Sequence, residues 1–220
     1  MRPILYVGNQ NYSSWSLRPW LVLRWGRIDF DTHVIPLGGP GYLKRQVKEV
    51  LAVSPAGTVP VLHVGDDVIG DSLSISEWAA EQTPALWPQA RAARALARSA
   101  VCEMHSGFGA LRGELPCNIR RRAEPRAFSD EVLRDVARVE AIWSSLRQRF
   151  GAGGPYLFGE NPTIADAFYT PVATRFRTYG VRIGNESRAY AEALLSNPAF
   201  REWEDAATRE AWTMPRWDAT

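Results

Sequence analysis

The sequence predicts an α/β unit followed by an all-helical one, and three observations carry that reading. Strand-like and helix-like apolar patterns alternate as far as Thr83-Pro84, beyond which almost only the helical period remains. Two prolines fall within Pro84 to Pro88, where a helix cannot continue, and mark a linker. Alternating strands and helices followed by helices alone imply two packed subdomains, residues 1–83 and 91–220, joined by 84–90.

Each element has its own justification. Ile4 to Val7 reads as a strand, Leu17 to Trp25 as a helix and Phe30 to Ile35 as a second strand, which is the order of a βαβ unit. Pro19 fixes where the helix begins. Proline lacks an N–H that the first turn leaves unpaired anyway, so the N-cap falls near Ser14 to Ser16, with Ser13 just ahead of it. Pro36-Leu37-Gly38-Gly39-Pro40-Gly41 is a loop and Tyr42 to Leu51 a helix. Val59 to Val64, the turn Gly65-Asp66-Asp67 and Val68-Ile69 form a β-hairpin, and Ser72 to Gln82 closes the unit as a helix. Helical runs then fall near 89–115, 129–150, 163–179 and 197–210. Thr163 with Asp166 three residues on is a reciprocal cap of backbone donors, so Asp166 is assigned to folding.

Composition removes several function classes. A chain of 220 residues buries a sizeable core without metals or disulfides, and its 45% hydrophobic content argues for a folded protein. A net charge of +2 is too small to suggest nucleic-acid binding; Arg120-Arg121-Arg122 reads as a solvated loop, and Arg91, Arg94 and Arg98 as a solvated helix face. No apolar run is long enough to cross a membrane and Met1-Arg2-Pro3-Ile4-Leu5-Tyr6 lacks a signal-peptide pattern, so the expected location is the cytoplasm. Cys102 and Cys117 form no Cys-x-x-Cys pair and His33, His63 and His105 are scattered, so no metal site is expected.

Two stretches carry recognition chemistry. In Ser54-Pro55-Ala56-Gly57-Thr58-Val59-Pro60-Val61-Leu62 a proline stands at the start of an apolar strand, where it cannot donate to the sheet ladder. A cis Pro60 would turn the N–H and C=O of Val59 outward, ready to pair with an extended ligand. Asp71-Ser72 follows at a helix start: the carboxylate suits an ammonium, and the hydroxyl with the free N–H groups suits a carboxylate. Together they read an α-amino acid end plus an amide backbone, as in the γ-glutamyl-cysteinyl part of glutathione. Plainer roles fit the same residues, with Pro60 opening an edge strand and Asp71 or Ser72 capping a helix.

A third stretch, Asn11-Tyr12-Ser13-Ser14-Trp15-Ser16-Leu17-Arg18-Pro19-Trp20, places Ser13 beside the positive end of the first helix. A hydroxyl there can donate to a thiolate. Moving a thiol pKa from about 8.5 to between 6 and 7 takes roughly 2 to 3.5 kcal/mol, about what one charge-assisted hydrogen bond and a helix end supply. Ser14 and Ser16 are alternatives, all three serines also fit helix capping, and Tyr6 in the first strand is a weaker candidate.

On these motifs the chain resembles the cytosolic glutathione transferases along essentially its whole length. Val59-Pro60 and Asp71-Ser72-Leu73-Ser74-Ile75 resemble the family's cis-proline and γ-glutamyl motifs, and Gly159-Glu160-Asn161-Pro162-Thr163-Ile164-Ala165-Asp166 its helix-starting motif. Ser13-Ser14-Trp15-Ser16-Leu17-Arg18 resembles the Ser-Ser-Cys-Ser-x-Arg signature of the zeta class, with Trp15 in place of the cysteine. The resemblance implies a thioredoxin-like N-terminal domain and an all-helical C-terminal domain, a homodimer, glutathione as co-substrate, and transfer of its thiol to a small apolar electrophile. It implies Ser13 as the thiol-activating residue, and Val59, Pro60, Asp71 and Ser72 as glutathione contacts. A cation from the loop, Lys44, Arg45 or Lys48, would meet the glycine carboxylate. Trp15, Met104, His105, Phe108 and Arg112 are the expected electrophile wall, although the stripe of Met104, Phe108 and Arg112 also suits domain-to-domain packing. Glutathione-dependent isomerisation of maleylacetoacetate and non-catalytic binding are the alternatives; the missing cysteine weakens the first.

Overall fold

A computed structural model describes residues 2–39 and 41–218. Met1, Pro40, Ala219 and Thr220 lie outside the described residues, so the loop read across Pro36 to Gly41 is described on either side of Pro40. The N-terminal part holds a four-stranded mixed sheet in the order β2-β1-β3-β4, with β1 Ile4–Gly8, β2 Asp31–Ile35, β3 Val61–Val64 and β4 Asp67–Ile69. β2 runs parallel to β1, and β3 antiparallel to it; parallel neighbours need a crossover, which α1 (Ser14–Trp25) supplies. This is the α/β unit followed by helices that the alternation of patterns predicts, in the thioredoxin-like arrangement that the family resemblance implies.

Alternation along β1 decides what each face of the sheet meets. Leu5 and Val7 are fully buried in the main core, whereas Tyr6 points the other way, against the rings of His33 and His63. α1 carries buried residues around most of its circumference, among them Leu17, Leu21, Val22 and Leu23, because it is packed against both α3 (Ser72–Gln82) and α7 (Ile164–Tyr179). Each such leucine taken fully from water contributes roughly 1.5–3 kcal/mol, which ties the two halves of the chain together.

The helical part comprises α4 (Arg91–Ser106), α5 (Gly109–Glu114), α6 (Asp130–Phe150), α7, α8 (Asn185–Ser196), α9 (Pro198–Arg209) and the short α10 (Pro215–Asp218). Trp143 of α6 sits fully buried against the rings of Tyr169, Phe176 and Tyr190. Among the described residues no helix is long and apolar enough to cross a membrane.

Several elements differ from the sequence reading, the short α10 and a 3-10 turn at Pro84–Leu86 among them. The run 89–115 breaks where the N–H of Gly107 closes α4 onto the Glu103 carbonyl and Phe108 adopts a left-handed φ of 61°. The helix expected over Tyr42 to Leu51 becomes a 3-10 turn, Tyr42–Lys44, and a short α2, Lys48–Leu51, divided by Arg45 at φ 55°. Helix α8, absent from that reading, fills the space between α7 and α9.

Candidate functional site

The N-cap of α1 is Ser13 itself, one residue ahead of the expected place. Its Oγ accepts the Ser16 N–H at 3.3 Å and donates to Ser16 Oγ at 2.7 Å, and Ser16 Oγ accepts the Gly8 N–H at 3.1 Å. Ser16 is fully buried, and so nearly is Ser14, whose hydroxyl accepts from Arg175 at 3.2 Å while that guanidinium also holds the carbonyls of Leu115 and Pro171. Ser13 is the half-buried one, and it lines a cavity. Tyr6 is remote in character, packed between two histidine rings on the far face of the sheet.

The Val59-Pro60 peptide is cis, and so is Gly70-Asp71. A groove of about 650 Å³ runs along this edge, bordered by Trp15, Arg45, Thr58, Val59, Pro60 and Asp71. A second cavity of about 360 Å³ shares Trp15, Arg45, Thr58 and Val59 with it and reaches Ser13. The two cavities thus adjoin along these shared residues, one reaching Asp71 at the start of α3 and the other Ser13 at the start of α1. Of the loop cations, Arg45 borders both spaces, Lys44 lines a neighbouring cavity of about 400 Å³, and Lys48 opens α2 as an exposed residue.

Asp71 caps α3: one carboxylate oxygen accepts the Leu73 N–H at 2.8 Å, and the other meets His105 Nε2 at 3.2 Å. His105 lies at the end of α4, so an acid of the sheet domain is met by an imidazole of the helical one. Ser72 behind it is buried, and its hydroxyl has no hydrogen-bond partner among the described residues.

The expected electrophile wall divides. Trp15, 36% exposed, has the guanidiniums of Arg18 (4.3 Å) and Arg112 (5.1 Å) over its ring, with the His105 ring edge-on at 5.2 Å. Arg18 is fully buried and also stacks on Phe168 at 4.8 Å; desolvation, with Arg112 and Arg175 nearby, holds its pKa well below the usual guanidinium range. Met104 and Phe108 belong to the main core. Arg112 turns back onto the Gly107 carbonyl at 3.0 Å and the Met104 carbonyl, and burial beside Arg175 pushes its pKa down to about 10. Sequence reasoning missed Tyr12, Met214 and Trp217, which complete the cavity at Ser13. Met214 and Trp217 lie some 200 positions from Ser13 along the chain, and no local pattern marks their arrival. Among the described residues no group of three or more His, Cys, Asp or Glu side chains could hold a metal ion.

A thioredoxin-like sheet whose β3 follows a cis Val59-Pro60 peptide, joined to an all-helical domain, defines the class of fold. The comparisons narrow it. Residues 12–82 match the family model of the glutathione S-transferase N-terminal domain, and residues 88–206 that of the C-terminal domain. The chain belongs to the glutathione S-transferase family. It is 31% identical to glutathione S-transferase 1 of Dianthus caryophyllus over 171 residues, 76% of this chain and 74% of that protein. It is 29% identical to a maleylpyruvate isomerase of Ralstonia sp over 201 residues, 82% of this chain and 87% of that protein. In fold it resembles a glutathione transferase homologue from Burkholderia gl BGR1 solved with bound glutathione, with a TM-score of 0.71 and 22% identity, covering 96% of this chain and 100% of that one.

Proposed function

We propose that the protein is a serine-dependent glutathione transferase: it holds glutathione along the Val59 edge, stabilises its thiolate with Ser13 and delivers it to a small apolar electrophile. The observation that carries this reading is the half-buried Ser13 residue at the N-terminus of α1, lining a cavity that shares Trp15, Arg45, Thr58 and Val59 with the Val59 groove. Rotation about one side-chain torsion re-aims the Ser13 proton from Ser16 Oγ to a sulfur at the same place, and the α1 dipole adds to the stabilisation. In this reading the Val59 main chain pairs with the cysteinyl amide, Pro60 shapes that edge, Asp71 and Ser72 take the γ-glutamyl end, and Arg45 is better placed than Lys44 for the glycine carboxylate. Rate comes from thiolate formation and proximity. Residues 1–83 are the glutathione domain, 84–90 the linker and 91–220 the helical domain, in a cytoplasmic homodimer.

A second reading, glutathione-dependent isomerisation, is favoured by the match to the Ralstonia isomerase over most of both chains. Trp15, standing where the zeta-class signature has cysteine, weighs against a maleylacetoacetate isomerase of that type and against disulfide reduction. Calorimetric titration with glutathione tests the shared premise, and absence of binding sinks both readings. Ser13→Ala is expected to keep glutathione affinity while the bound thiol pKa rises by about 1.5 to 2.5 units, an effect of roughly 2 to 3.5 kcal/mol. An unaltered thiolate absorbance titration removes Ser13 from the role. Product analysis separates transfer from isomerisation, because isomerisation regenerates free glutathione.

A further inference from the structure

Among the described residues Asp71 is the one acidic side chain lining the Val59 groove, and Arg45 the one cation, so a ligand ammonium there has a single carboxylate to meet. That carboxylate already has two partners. One oxygen caps α3 through the Leu73 N–H at 2.8 Å, and the other lies 3.2 Å from His105 Nε2 in the last turn of α4. The Asp71 side chain is 54% exposed and that of His105 24%, so the acid keeps an open flank while the ring is mostly covered.

The imidazole finds no second counter-charge among the described residues. Its ring is edge-on to Trp15 of α1 at 5.2 Å and tilted towards Phe168 of α7 at 6.2 Å, and its Nδ1 is buried there without a hydrogen-bond partner. The charged side chains that share those rings are cations: Arg18 of α1 stacks on Trp15 and Phe168, at 4.3 and 4.8 Å, and Arg112 of α5 lies over Trp15 at 5.1 Å. The Tyr169 phenol of α7 is turned to the Ala100 carbonyl. On α4 itself Glu103 is engaged by Arg138 at 2.6 and 2.8 Å, and Glu77 of α3 pairs with Arg98. Asp71 is therefore the group that registers a change of charge on the ring. An imidazole is the side chain that changes charge between about pH 5 and 8. Neutral, with its proton on Nε2, it donates to Asp71 and leaves the carboxylate its full negative charge towards the groove. Protonated, it cancels that charge and sets a cation close to the place an ammonium must take.

We propose, on the glutathione reading of the groove, that His105 is a proton-operated gate on the γ-glutamyl end: neutral, it positions Asp71 for the ligand ammonium, and protonated, it takes the carboxylate for itself. The coupling is reciprocal. An ammonium docked at Asp71 drives the proton off His105, so binding on the sheet domain and protonation in the helical domain are linked through one contact.

The test uses the full chain as wild type, His105→Gln and Asp71→Asn, titrated calorimetrically at about pH 8 and about pH 5.5. The ligands are glutathione and glutaryl-cysteinylglycine, which lacks only the amino group. The ratio of the two affinities cancels thiol ionisation, which both ligands share. In the wild type the preference for glutathione should fall about tenfold from the higher pH to the lower, the effect of a like charge at close range. His105→Gln keeps an N–H for Asp71 but takes up no proton, so its preference should be the same at both. Asp71→Asn should show little preference at either, and a preference kept there places the ammonium elsewhere and overturns the gate. A wild-type preference that ignores pH overturns it, as does a fall that His105→Gln reproduces. The wild type also gives a readout that needs no variant. At about pH 6.5, heats in two buffers of unlike ionisation enthalpy should show more protons released by glutathione than by the analogue, and equal release overturns the gate. Binding of both ligands without preference overturns the gate and leaves the glutathione reading standing, whereas no binding of either ligand to the wild type overturns both.

Discussion

Two helix starts in this molecule use the same cap chemistry and differ in what surrounds it. At α7, Asp166 is fully buried: one carboxylate oxygen accepts the Leu157 N–H (3.0 Å) and the Tyr190 hydroxyl (2.9 Å), and the other accepts the Thr163 N–H and hydroxyl, both at 2.8 Å. Burial pushes this carboxyl up while those four donors pull it down. At α1, the Ser13 hydroxyl makes one short bond to Ser16 and a longer one to its backbone, then faces open space. The sealed cap spends every lone pair on the fold. The open cap gives its one O–H to Ser16 Oγ and borders a cavity on its other side, with the positive end of the helix dipole beside that space.

If that contrast is right, the largest loss of stability comes from the sealed end. Asp166→Ala leaves four buried donors without their acceptor and should cost about 3–5 kcal/mol, a fall in Tm of roughly 10 °C by scanning calorimetry. Turnover per folded molecule should stay within about threefold of wild type. A loss below about 1 kcal/mol would erase the distinction between the two ends.

Ser16→Ala sharpens the comparison from inside α1. It removes the acceptor of the Gly8 N–H at a fully buried position, at a cost of about 1–2 kcal/mol in denaturant unfolding. It also removes the oxygen to which Ser13 donates, so the thiol pKa of bound glutathione should stay where it is or fall. A rise larger than that of Ser13→Ala would move the activating role to Ser16.

The two ends were not equally legible in the sequence. The Thr163-Asp166 spacing is a local signature whose partners sit three residues apart, so the cap reads directly from the chain. Pro19 likewise fixed the start of α1 to within one residue, and the prolines near position 84 fixed where strands give way to helices. What stayed hidden depends on distance along the chain or on backbone torsions. Phe108 and Arg45 break expected helices at positive φ, which neither residue type announces. The Met104 stripe has the period of a ligand wall or of a core, and only the packing of α4 onto α7 decides for the core. The return of 210–218 over Ser13 is a contact across nearly the whole chain, written in no motif.

Ser13→Ala gives the smallest change in stability and the sharpest test. Its backbone bond is long at 3.3 Å and half-exposed, so losing the cap should cost no more than about 1 kcal/mol, at the low end for N-cap serines. The same substitution should lower kcat/KM near pH 6.5 about fiftyfold, because a thiol returned towards about 8.5 is about 1% ionised there where a stabilised one is about half ionised. The two starts would then rank in opposite orders: Asp166 large in stability and small in turnover, Ser13 small in stability and large in turnover. That inversion separates a cap facing a ligand from one facing the core, since a purely structural Ser13 would move both quantities together. Denaturant midpoints and pH-dependent kinetics on the same two variants decide it, and parallel losses in both would return Ser13 to the ordinary helix caps.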